Sequence, residues 1–194
     1  MSYGPLFVIK YLYLRKQTDK TMKRIAMFLA VMLMSVAAFA QANKRSIASM
    51  EVDEKPYEVF AYDEDGVRGY YLLMGDTGYE VTNEVSLASE LLELFVYLGS
   101  NVNEAVETMQ GIVALYDAPL GDTKMFTGRL GGNLPVGISR DVRATVQKKL
   151  LSKKHQLSFT FIGDKVNVVS WMKKSEAKML LKFLSSYQKR HPDR

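Results

Sequence analysis

Residues 57–83 read YEVFAYDEDGVRGYYLLMGDTGYEVTN. Tyr57 to Tyr62 alternates apolar and polar side chains, the period of a half-buried strand. Asp63-Glu64-Asp65-Gly66 then supplies turn chemistry, because Asp and Gly accept the backbone angles that a tight hairpin needs. Gly69 to Met74 reads as a second strand. Gly75-Asp76-Thr77-Gly78 reads as another turn, and Tyr79 to Asn83 as a third strand. The stretch predicts an antiparallel meander.

The same reading extends in both directions. Residues 41–54 are polar and are expected to be a mobile lead-in. Glu90 to Leu98 fits either a half-buried strand or a helical stripe. The aromatic and β-branched residues at its end, and the Gly99-Ser100-Asn101 break, favour a strand. Asn101-Val102-Asn103-Glu104 has the pattern of a capping box, so a helix should run to about Asp117. Its inward stripe is Ala105, Val106, Met109, Ile112, Val113 and Tyr116. Residues 118–140 hold five of the thirteen glycines and should be irregular, apart from a short strand at 124–130. Arg143 to Leu151 reads as a strand, with Ala144 and Val146 on one face. Gln156 to Ile162 and Lys165 to Trp171 form a hairpin around Gly163-Asp164. Lys174 to Arg190 is a terminal helix with Ala177, Leu180, Leu181, Leu184 and Tyr187 inward. The expected class is α+β: a mostly antiparallel sheet with two amphipathic helices packed on one side.

Ahead of this domain lies a targeting pattern. Residues 22–40 run from Met22-Lys23-Arg24 through apolar Ile25 to Ala37 and end in Ala38-Phe39-Ala40. Charged, apolar and small-x-small parts in that order make a signal peptide, with the mature chain starting at Gln41. The run is shorter than the roughly 20 apolar residues of a membrane span. Residues 1–21 read as an upstream start artefact or a long charged leader. The remaining chain is expected to be one α+β domain over 55–190, with 55–120 and 121–190 as possible halves. Each half alone is small for an independent core. The expected location is exported, periplasmic or extracellular, with no stable membrane span after cleavage.

Charge follows the same division. The 194 residues carry a formal +5. Residues 1–40 contain six Lys or Arg and one acid, so that excess belongs to the leader and residues 41–194 are near neutral. A polyanion partner such as nucleic acid is therefore not expected. The neutral part is polarised: Glu51 to Asp122 has 16 acids and two bases, and Thr123 to Arg194 has 16 bases and four acids. Such halves are expected to face each other.

Few residues offer chemistry. Cysteine is absent, which excludes disulfides, thiolate zinc sites and a thiol nucleophile. His155 and His191 are too few for a multi-histidine metal site. His155 stands beside Lys153 and Lys154, a setting that disfavours a general base. Asp76-Thr77-Gly78 is the tripeptide of aspartic proteases, and Asp76 is the one nameable residue for a carboxylate-dependent hydrolase. That chemistry needs two carboxylates sharing a proton, and only one such tripeptide is present. Asp63 and Asp65 could hold calcium weakly. A full EF-hand is excluded because Ala61 and Leu72 would occupy its first and last ligand places. Lys148, Lys149, Lys153 and Lys154, joined by Lys173, Lys174, Lys178 and Lys182, could make a basic face for lipid headgroups, an envelope polysaccharide or an acidic protein. Tyr57, Tyr62, Tyr70, Tyr71 and Tyr79 crowd the first strands, where outward tyrosines suit protein or sugar contact. No cofactor motif is found, and no cofactor is expected.

The signal ending in Ala-Phe-Ala before Gln41, with a small cysteine-free β-rich domain behind it, resembles the uncharacterised small secreted proteins of the Bacteroides group. That resemblance brings no catalytic motif. The expected function is a non-catalytic exported binding or envelope-interaction module, with the Asp76 hydrolase as the alternative.

Overall fold

The computed structural model describes residues 43–75, 77–81, 92–148, 154–163 and 166–192. Residues 1–42, Asp76, Lys149 and Lys153 lie outside the described residues. Asn43 to Arg194 form one compact unit. Its elements are β1 (Lys44–Val52), β2 (Lys55–Glu64), β3 (Val67–Met74), β4 (Thr77–Val81), β5 (Glu93–Gly99), α1 (Val102–Leu115), β6 (Thr123–Gly131), β7 (Arg140–Lys148), β8 (His155–Phe161), β9 (Val166–Lys173) and α2 (Lys174–Arg190). The nine strands make one sheet in the order β1-β2-β3-β5-β6-β7-β8-β9-β4. Every neighbouring pair is antiparallel. The class is α+β, a mostly antiparallel sheet with two helices.

The turn chemistry of the β2–β3 hairpin forms as its sequence requires. Glu64 faces Val67 across a two-residue turn in which Asp65 and Gly66 have φ of 50° and 81°. Both angles are positive, as in the mirror-image turn that matches strand twist. Glu93 to Gly99 is a strand, because its two faces are both buried: Leu94, Val96 and Leu98 on one, Phe95 on the other. Asn101 caps α1 by accepting from the Glu104 amide at 2.9 Å. The Glu104 carboxylate reaches back to the Ser100 amide at 2.7 Å and holds its own pKa below the ordinary carboxylate range through that bond.

Two expectations are corrected. Residues 41–54 are not all lead-in, because Lys44–Val52 forms edge strand β1. A register shift between Ser46 and Ala48 breaks its alternation, and only Ala48 is fully buried, so the apolar period is hidden. The meander also fails at its third strand. β4 does not pair with β3 but lies at the far edge of the sheet beside β9, with Tyr79 opposite Val168. The expected Gly75–Gly78 hairpin is therefore not formed. Smaller differences concern length: β6 spans nine residues, β7 starts three residues earlier than expected, and Val113 and Leu181 are only partly buried.

Period-two alternation sorts the buried residues into two clusters. The larger takes Val59, Leu72, Met74, Leu94, Val96, Val142, Ala144 and Phe159 from the sheet, with Ala105, Met109 and Ile112 of α1 and Ala177, Leu180 and Leu184 of α2. Each fully buried Val, Leu, Ile, Met or Phe among them contributes roughly 1.5–3 kcal/mol. The smaller cluster is Phe60, Tyr62, Tyr71, Leu73 and Phe95, and it contains no helix residue.

Candidate functional site

Three chain ends meet at one end of the helices. Tyr116 and Asp117 follow α1, Lys154 and His155 open β8, and Lys173 to Lys178 carry β9 into α2. Together they line an open groove of about 750 Å³. Two bonds fix the meeting. The buried Tyr116 hydroxyl donates to the Met172 carbonyl at 2.8 Å, tying the end of α1 to β9. Burial drives that phenol's pKa well above its ordinary value. His155 Nδ1 lies 3.0 Å from the Tyr116 carbonyl. A carbonyl can only accept, so Nδ1 carries the proton.

The lining brings four ammonium groups, Lys154, Lys173, Lys174 and Lys178, against the single carboxylate of Asp117. Lys174 donates to Asp117, and that hydrogen bond holds the Asp117 carboxyl below the ordinary range. Lys173 is paired with Asp53 at 3.3 Å and Glu176 at 3.4 Å. The Asp53 bond raises the Lys173 pKa, so this ammonium stays charged through neutral pH. Four ammonium groups against one carboxylate leave the lining with a surplus of positive charge. The amino end of α2 opens into the same groove, and its dipole adds the same sign.

The predicted basic residues are thus brought together in part. Lys154, Lys173, Lys174 and Lys178 share the groove. Lys148 pairs with His155 across β7 and β8 and does not line it, and Lys182 is exposed farther along α2. Lys149 and Lys153 lie outside the described residues. Tyr116, Asp117 and Ser175 also line the groove and were not among the expected site residues. Their signal was positional: each flanks a helix terminus, and only the fold puts those termini side by side.

The other candidates go elsewhere. Asp63 accepts a two-pronged bond from Arg68, at 2.8 and 2.9 Å, which holds its carboxyl below the ordinary range. Asp65 sits in the turn beside it. Among the described residues no three His, Asp or Glu side chains gather as metal ligands. Asp76 lies outside the described residues. His191 caps the end of α2 through its backbone amide. Of the tyrosines, Tyr57 donates to the Trp171 carbonyl at 2.9 Å and Tyr70 is buried with it in the larger cluster. Tyr62 and Tyr71 belong to the smaller one. Among the described residues no helix is long and apolar enough to cross a membrane.

No protein-family model, curated protein or solved structure matches the chain.

Proposed function

We propose that the protein is an exported, non-catalytic binding module of the cell envelope, and that the lysine-lined groove between Asp117 and Lys178 holds an anionic ligand. In this reading both helices cover one face of the sheet, and the groove is the gap left where their ends meet. The observation that carries the reading is the convergence of lysines from the start of β8, the end of β9 and the first turns of α2 onto one concavity with one carboxylate. An evenly solvated surface has no need to collect like charges in this way, since like charges brought together repel.

Heparin serves as the test polyanion. The chain should be retained on a heparin column at moderate salt, and Lys154→Gln/Lys178→Gln should elute at clearly lower salt. Flow-through of the unaltered chain ends the proposal. So does retention that the double substitution leaves unchanged. The carboxylate-hydrolase alternative rests on Asp76, which lies outside the described residues.

A further inference from the structure

A second cleft, of about 280 Å³, lies on the sheet among the ends of β2, β3, β5 and β6. Its chemistry differs from that of the lysine groove. Tyr62, Tyr71 and Tyr97 all line it, together with Glu64, Arg68 and Arg129. None of the three phenol hydroxyls has a hydrogen bond among the described residues, and no buried side-chain oxygen is left without a partner. All three phenols border the cleft. Burial of their rings raises all three pKa values, so each is a neutral group that can both donate and accept.

The charges around them are already matched. Arg129 donates through Nη1 to Glu64 at 2.5 Å and to the Pro135 carbonyl at 3.1 Å, and through Nε to Ser139 at 2.9 Å. Arg68 is forked onto Asp63. An anion entering the cleft would have to displace Glu64 or Asp63, and a cation would meet two guanidinium groups. The walls are also held in place. Tyr71 lies over Gly69, where a β-carbon would come within 2.7 Å of the ring. Tyr71 stacks on Phe60 with centroids 6.0 Å apart and meets the edge of Tyr97 at 5.4 Å.

We propose that this cleft binds a neutral saccharide. Three phenols with no hydrogen-bond partner among the described residues, the half-buried ring of Tyr97 and no net charge suit a ligand that presents C–H faces and many hydroxyl groups. Fixed tyrosines lose little entropy on binding. The proposal stands apart from the anionic ligand of the lysine groove.

Native electrophoresis through gels containing dextran, mannan or xylan tests it. The chain should be retarded in at least one of these neutral gels. Tyr62→Phe/Tyr71→Phe/Tyr97→Phe keeps the rings and removes only the hydroxyls. It should bind about tenfold or more weakly, the scale of one to two neutral hydrogen bonds. Lys154→Gln/Lys178→Gln should be retarded as the unaltered chain is. Tyr97→Phe alone, at a half-buried ring, replaces the triple variant if that variant loses its native melting transition, and should bind several-fold more weakly. Free migration in all three gels overturns the proposal, as does retardation that the phenylalanine variants leave unchanged.

Discussion

Asp53 and Glu54 make the two-residue turn between β1 and β2, with φ of 53° and 64°. The next hairpin uses the same turn with Asp65 and Gly66. The left-handed region costs an ordinary L-residue roughly 1–2 kcal/mol, which Asp eases by local hydrogen bonding and Gly avoids. Glu54 has neither escape. Glu54→Gly gives back part of the gain through the greater freedom of the unfolded chain. The net expectation is a gain of about 0.5–1 kcal/mol, read as a higher urea midpoint. A lower midpoint would mean that Glu54 makes compensating contacts in the folded state. This turn also explains why the first hairpin was not legible. Asp65-Gly66 announces a turn by its residue types, whereas Asp53-Glu54 adopts the same geometry with no glycine.

At the scale of elements, the departure of β4 from the meander is decided near Gly75. Only Gly75 and Asp76 separate β3 from β4, a reach of roughly 10 Å. The far edge must therefore come close to the end of β3. The Tyr57 bond to the Trp171 carbonyl shows that it does, bringing the start of β2 against β9. A β-carbon at Gly75 would lie 1.9 Å from the Pro56 carbonyl oxygen, a clash with backbone. Gly75→Ala should cost about 1–3 kcal/mol, the range for overpacking a tight contact. Thermal melting reads it, and an unchanged midpoint would rule out this close passage. The local strands were legible because period-two alternation reports which residues face a core. Their order was not, since alternation is the same whichever neighbour a strand takes. The groove was legible only as a list of lysines, because the joining of α1's end to β8 and β9 is a property of the fold.

Across the whole molecule, four strands and a helix occur twice: β1, β2, β3, β5 and α1, then β6, β7, β8, β9 and α2, with β4 added to the far edge. Glu104-Ala105 and Glu176-Ala177, 72 residues apart, take the same parts. Each Glu accepts a backbone amide ahead of its helix, and each Ala is fully buried. The first run lies in the acidic half and the second in the basic half. Lys173–Asp53, Lys174–Asp117 and Arg129–Glu64 are ion pairs that join the two. At least one partner of each pair is 40% exposed or more. Such pairs contribute about 0–1 kcal/mol each. The continuous sheet and the larger cluster span both halves without them, so the charges set the character of the seam more than its stability. Raising NaCl from 0.1 to 1 M shortens the screening length from about 10 to 3 Å. The melting temperature should then move by only about 2–4 °C, the equivalent of roughly 1 kcal/mol in a domain of this size. Heparin retention should vanish over the same range, because the groove's attraction acts through solvent. A fall in melting temperature of more than about 10 °C would show instead that facing charges hold the halves together.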